Sequence, residues 1–174
     1  MTDVTGVVGL VRVDDDVLEG LLDVAVGDAD PEDVMPAVPG PPGWTQRRRD
    51  AFRAFHRARY PGLAAPPYEI TYAVTEDGHI RGSVRLRRPE ERPEALETGI
   101  WLGRSARGRG IGTAAISAVV DAAAQAGAAT VLADTTPGNA AMLSVLRRTG
   151  AVLVTDTAAG RVDAELRTAG RDRV

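Results

Sequence analysis

Apolar and polar positions alternate loosely over residues 7–13, with β-branched residues prominent, and the pattern predicts a first strand. The period then lengthens. Val17, Leu21, Leu22 and Val24 recur at helical spacing behind Asp14, Asp15 and Asp16, acids that suit a helix N-terminus, so residues 14–27 read as a helix. Residues 28–43 are rich in Pro and Gly and read as a long loop, a kind of segment that is usually functional or mobile. Thr45 can cap a second helix running to about Tyr60, with Ala51, Phe52, Phe55 and Ala58 on one stripe, and Pro61-Gly62 stops it. Residues 68–75 and 80–87 are two strands joined by Asp77-Gly78, a strong hairpin signal. Residues 96–102 form a fourth strand.

The second half repeats the alternation of periods. Residues 113–126 place Ile116, Val119, Val120 and Ala123 inward and Ser117, Asp121 and Gln125 outward. Residues 130–134 are a short apolar strand of the buried type. Residues 138–149 form a last helix ended by Gly150, and 152–155 with 161–166 form a closing hairpin. The tail, 167–174, is expected to fray. The order is β-α-α-β-β-β-α-β-α-β-β, an α/β chain with α and β elements layered on each other. Neither an internal repeat nor a second domain is visible, so 1–174 reads as one domain.

Composition narrows the class of function. The chain has 174 residues, 44% hydrophobic and 26% charged, which suits a globular domain with a sizeable core. A net charge of −3 gives no overall drive toward nucleic acid or membrane. There is no apolar run long enough to span a bilayer and no signal-peptide pattern at the start. With no cysteine there is neither a disulfide framework nor a thiol nucleophile. A cytoplasmic location is the expectation.

Chemistry concentrates between the fourth strand and the third helix. Arg107-Gly108-Arg109-Gly110-Ile111-Gly112 puts three glycines in five residues at a helix start. Glycines there allow a tight turn and a close approach of backbone N–H groups to a ligand, and the helix dipole favours an anion, usually a phosphate. The dinucleotide fingerprint fits less well, because it wants G-x-G-x-x-G after the first strand of a βαβ unit.

The pattern Arg-x-x-Gly-x-Gly between strand and helix resembles the pyrophosphate loop of the GNAT family of acyl-CoA-dependent N-acetyltransferases. The element order matches that fold over nearly the whole chain, which implies a mixed, mostly antiparallel sheet of about seven strands with four helices. Within the family, the resemblance points to the branch containing ribosomal-protein and aminoglycoside acetyltransferases. It implies acetyl-CoA as co-substrate and no metal. The backbone of Gly108, Arg109, Gly110, Ile111, Gly112 and Thr113, with the side chains of Arg107 and Arg109, would hold the phosphates. The strand before the loop would be splayed from its neighbour, and the backbone of Ile100, Leu102 and Gly103 would receive the pantetheine arm. The N–H of Leu102 would stabilise the oxyanion. Asn139, with Gly150 about eleven residues on, resembles the family's second signature and would support the pantetheine. A simple N-cap explains Asn139 as well.

Two positions depart from the family. Leu146 stands where many members carry a Tyr that protonates the leaving thiolate, and Ala151 stands where an aromatic usually follows the Gly. Ser144 is the nearest hydroxyl in that helix, and Tyr60, Tyr68, Tyr72 or solvent are the other sources of a proton. A base is needed because only a free amine attacks, and Glu97 on the fourth strand is the candidate. Neither His56 nor His79 is favoured.

The acceptor is expected to be a small-molecule or peptide amine, and a homodimer is compatible with the sequence. Asp28, Asp30, Glu32 and Asp33 would draw a cationic amine such as an aminoglycoside-like amino sugar. Two other readings remain. A non-catalytic acyl-CoA-binding module would explain the missing Tyr. An RNA-binding protein would use the helix over 45–60, which holds Arg47, Arg48, Arg49, Arg53, Arg57 and Arg59, although nucleic acid is disfavoured by an aromatic content of 4%.

Overall fold

The computed structural model describes residues 6–168, so all but the first two residues of the expected frayed tail lie outside the described residues. The chain opens with β1 (Val8–Arg12) and enters α1 (Asp15–Asp28) through Asp14. The Asp14 carboxylate accepts from the N–H groups of Asp16 and Val17, two of the donors that a helix start leaves open. The buried stripe of α1 is Leu18, Leu21, Leu22 and Ala25, the i, i+3, i+4, i+7 set. Val17 and Val24, expected on that stripe, lie at its flanks, half-buried.

The stretch expected as a loop contains a further short helix, α2 (Pro31–Val34). Pro31 takes its first position, where a missing N–H leaves no bond unmade, and both Pro31 and Val34 are buried. The described residues therefore hold five α-helices where the sequence suggested four. Helix α3 (Gln46–Arg57) starts at Thr45, whose hydroxyl accepts from the Arg48 N–H. Its inward residues are Arg48, Phe52 and His56 rather than the expected Ala51, Phe52, Phe55 and Ala58. Polarity hid the true face: Arg48 points in because its guanidinium bonds the carbonyls of Val38, Pro41 and Gly43 and so pins the loop before the helix.

The remaining elements are β2 (Glu69–Glu76), β3 (His79–Arg87), β4 (Ala95–Leu102), α4 (Ile111–Gln125), β5 (Thr130–Thr135), α5 (Ala140–Arg148), β6 (Val152–Asp156) and β7 (Arg161–Arg167). Asp77 and Gly78 both have positive φ, 50° and 79°, as the tight β2–β3 turn requires. One seven-stranded sheet runs β1-β2-β3-β4-β5-β7-β6. Every neighbouring pair is antiparallel except β4 and β5.

Side chains alternate between the two faces of the sheet. On one face Val74, Val84, Leu86, Leu96 and Val131 pack with Ile111, Ile116 and Val119 of α4 and Leu146 of α5. On the other, Ala73 packs with Leu18, Leu21 and Phe52 beneath α1 and α3. Each fully buried Leu, Ile or Phe contributes about 1.5–3 kcal/mol, so both helical layers are firmly seated.

The sheet also splits. Strands β4 and β5 pair only at Ala95↔Thr130, Leu96↔Val131 and Glu97↔Leu132. Beyond Glu97, β4 stays with β3 as far as Leu102, while β5 follows β7 to Thr135. Residues 98–102 thus keep one backbone edge without a strand partner.

Candidate active site

The register of β3 and β4 fixes which groups face that gap. The Gly103 N–H donates to the Arg81 carbonyl at 2.9 Å. Antiparallel pairing alternates, so Glu97, Gly99 and Trp101 also point their backbone groups at β3. Thr98, Ile100 and Leu102 point theirs into the opening. The Leu102 carbonyl accepts from Nε of Arg107 at 3.1 Å, which leaves its N–H and both groups of Ile100 facing the gap. Gly103, expected among the pantetheine contacts, does something else. Its carbonyl accepts from Ala106, and a Cβ on it would lie 2.4 Å from the Asp28 Oδ2. Gly103 therefore shapes the turn, which Asp28 fastens by accepting from the Ser105 N–H at 3.0 Å and hydroxyl at 2.6 Å.

After a 3-10 turn at Arg104–Ala106 comes the glycine loop. Gly108 and Gly110 have φ of 71° and 80°, the left-handed region that side chains disfavour, and Gly110 caps α4. Among the described residues, none accepts a hydrogen bond from the N–H groups of Gly108, Arg109, Gly110, Ile111, Gly112 and Thr113. Six open donors at a helix N-terminus form an anion site. A Cβ at Gly108 would meet nothing within 4 Å, whereas one at Gly112 would sit 3.3 Å from Val145 and 3.7 Å from Leu102. Gly112 lets α4 close on α5 and on the end of β4, and the buried Ile111 anchors the turn below.

The two loop arginines differ. Arg109 gives Nη2 to both oxygens of Glu76, at 2.7 and 2.9 Å, and Glu76 is buried and also accepts from Arg81 at 3.1 Å. Arg109 thus ties the loop to the end of β2 through Glu76. Arg107 uses only its Nε on Leu102.

Asn139 caps α5 by accepting from the Met142 N–H at 3.1 Å, which leaves its amide NH2 as a donor. Leu146 is fully buried in the core, so packing has taken the position of the family Tyr. Ser144 is half-buried, and its hydroxyl makes no hydrogen bond among the described residues.

A cleft of about 590 Å³ lies on the α1/α3 side of the sheet, bordered by Gly99, Ile100 and Trp101 of β4. Arg59, Glu69, Arg85 and Arg87 line its floor, and Glu97, outside the lining, extends them into an alternating chain of charges. Glu69, 2% exposed, binds Arg59 at 2.7 Å and Arg85 at 3.2 Å; Glu97 binds Arg87 at 2.7 Å and lies 3.6 Å from Arg85. Glu97, the expected base, is therefore occupied by two guanidinium groups at the end of β4 where the strands still pair. His56 also lines the cleft, against expectation. It is 3% exposed, its ring lies tilted 4.4 Å from that of Phe52, and among the described residues neither ring nitrogen has a hydrogen-bond partner. Burial, aided by the nearby Arg59 charge, pushes its pKa down to about 4, so it is neutral at pH 7. Tyr60, Tyr68 and Tyr72 do not line the cleft; the Tyr60 hydroxyl donates to Asp15.

The acidic segment divides. Asp28 and Asp30 brace the turn after β4, the latter by an ion pair with Arg104 at 2.6 Å. Glu32 and Asp33 border the cleft. The Arg-rich helix is largely neutralised: Arg53 bonds Glu19 and Asp50, Arg57 bonds Asp15, Arg59 bonds Glu69, and Arg48 faces inward. Four of its six arginines are thus committed within the protein, which removes the free basic stripe that RNA binding would use.

The glycine loop, the open strand edge and the donor on Asn139 suit a long ligand with a phosphate end and an amide-bearing arm. Comparison with known proteins agrees. The acetyltransferase (GNAT) domain model matches residues 4–152. No curated protein matches the sequence. Among solved structures, RimL, the ribosomal L7/L12 alpha-N-protein acetyltransferase in complex with coenzyme A, is 18% identical, with 95% of this chain and 97% of that chain covered and a TM-score of 0.73. The GNAT domain of S. lividans PAT is 19% identical, with 92% and 89% covered and a TM-score of 0.67. The N-acetyltransferase PseH of Campylobacter jejuni, in complex with acetyl coenzyme A, is 10% identical, with 92% and 99% covered and a TM-score of 0.65. At such identities the likeness establishes the fold, and the domain match establishes the family. The chain belongs to the GNAT family and is an acetyl-CoA-dependent acetyltransferase.

Proposed function

We propose that the protein transfers the acetyl group directly to a primary amine seated in the cleft on the α1/α3 side. One observation carries this reading: the same segment of β4 borders the amine-sized cleft and the gap where the sheet splits. Acetyl-CoA would lie along the gap, with its pyrophosphate on the N–H groups of residues 108–113 and its pantetheine on Ile100 and Asn139. The Leu102 N–H, fixed by the β3 register, would face the thioester oxygen and stabilise the charge that develops there. The amine nitrogen bonds to the acetyl carbon and gives up one proton to solvent, the C–S bond breaks, and CoA leaves as the thiolate or, once protonated, the thiol.

Proton handling follows from the ion pairs. Glu69 on the floor and Glu97 beside it are both held by arginines, so solvent supplies the free amine and Glu97 positions Arg85 and Arg87. The leaving group needs little help, since a thiol ionises near pH 8.5 and thiolate departs readily. Ser144 is the protein hydroxyl assigned to protonate it. The acceptor is a small amine or a peptide N-terminus, and the location is cytoplasmic; among the described residues no helix is long and apolar enough to cross a membrane.

The test is a CoA-release assay over a panel of primary amines. Acetyl-CoA-dependent release stimulated at least tenfold by one class of amine supports the proposal. Tight CoA binding without any stimulated release would leave a binding module instead.

A further inference from the structure

The charges and the unpartnered histidine of the cleft define the acceptor more narrowly; this inference rests on the proposed function. Three guanidinium groups lining the floor, Arg59, Arg85 and Arg87, meet one lining carboxylate, Glu69, and one beside it, Glu97, so the cluster keeps one positive charge in excess. Arg85 and Arg87 are 37% and 44% exposed and can reach a ligand, whereas the buried Glu69 carboxylate is already taken up by Arg59 and Arg85. The opposite wall is acidic. Glu32 is partly offset by Arg48 at 3.6 Å, and among the described residues Asp33 has no ion pair. The cleft is thus bipolar, positive at the sheet and negative under α2.

His56 lies in the same cleft with both ring nitrogens buried and unpaired. Native structures seldom leave such groups unsatisfied, and a neutral imidazole offers one donor and one acceptor. A ligand that brings an N–H to one side of the ring and an anionic oxygen to the other satisfies both. A polycation satisfies neither the imidazole donor nor the excess charge of the floor. We propose that the acceptor is a primary amine bearing a carboxylate a few bonds away, as in an amino acid or a peptide with an acidic N-terminal residue, with the carboxylate on Arg85 and Arg87 and His56 bridging to the amine.

The test compares matched acceptors in the CoA-release assay: leucine and phenylalanine against their decarboxylated amines, C-terminally amidated tripeptides with N-terminal Glu or Asp against those with Gln or Asn, and spermidine as a polycation. Calorimetry of acetyl-CoA binding runs in parallel. We expect kcat/KM at least tenfold higher for the carboxylate member of the preferred series, and the two series separate free amino acids from peptides. Arg87→Met should erase that preference. His56→Phe should raise acceptor KM at least tenfold with Tm unchanged or higher, a combination that a merely structural histidine would not give. Equal or faster turnover of the carboxylate-free partners or spermidine overturns the inference, as does acetyl-CoA binding with no carboxylate acceptor used. Failure of acetyl-CoA to bind would instead overturn the proposed function beneath it.

Discussion

Glu76 holds Arg109 through both carboxylate oxygens, at 2.7 and 2.9 Å, so a buried acid at the end of β2 sets the position of the glycine loop. Arg109→Ala leaves Glu76 buried with Arg81 as its remaining partner. An under-satisfied buried group costs about 1–3 kcal/mol. We expect a lower Tm and a raised KM for acetyl-CoA, with KM for the acceptor little changed. A variant that loses stability while keeping its acetyl-CoA KM would show that the pair supports the fold alone.

Asn139 carries two roles that one substitution separates. Asn139→Asp keeps the cap, because Asp caps a helix about as well, but it replaces the amide donor with charge. The expected result is an unchanged Tm and an acetyl-CoA KM raised severalfold in steady-state kinetics. Unchanged kinetics would reduce Asn139 to capping.

Glu97→Gln tests the assignment of the base. General-base catalysis is typically worth 10²-fold or more. Because Arg87 and Arg85 already occupy the Glu97 carboxylate, we expect kcat to fall less than tenfold, with the larger change in acceptor KM. A fall of 10²-fold in kcat, together with loss of the acidic limb of the pH profile, would restore Glu97 as the base.

Much of this was legible in the sequence, and the misses share a cause. The glycine loop, the hairpin at Asp77-Gly78 and the order of elements along the chain were readable because local turn chemistry and periodicity dictate them. The inward face of α3 was not, because Arg48 and His56 are polar and their burial depends on carbonyls and rings supplied by distant segments. The roles of Arg109, Asp28 and Glu97 were hidden for the same reason: Glu76, Ser105 and Arg87 reach them only through the folded sheet.

His56 gives a pH signature with a definite sign. Its ordinary pKa of 6.5 is pushed down to about 4 in the fold. Between those values the unfolded chain binds a proton that the native state does not, so stability falls as pH falls through this window, by up to about 3 kcal/mol. Denaturant titrations from pH 7 to pH 4 should show this decline, and His56→Phe should flatten it. A wild-type decline that persists in the variant would assign it to other groups.

The central claim is that the turn at residues 108–113 holds the pyrophosphate of acetyl-CoA. Gly108 is the cleanest probe, since its φ is 71° and a Cβ there meets nothing within 4 Å. Asp and Asn both tolerate that backbone conformation and differ only in charge. The decisive measurement is the calorimetric Kd of acetyl-CoA for the native chain, Gly108→Asn and Gly108→Asp. The account predicts that the Asp variant binds at least tenfold more weakly than the Asn variant at equal Tm. Equal affinities for the two would contradict it.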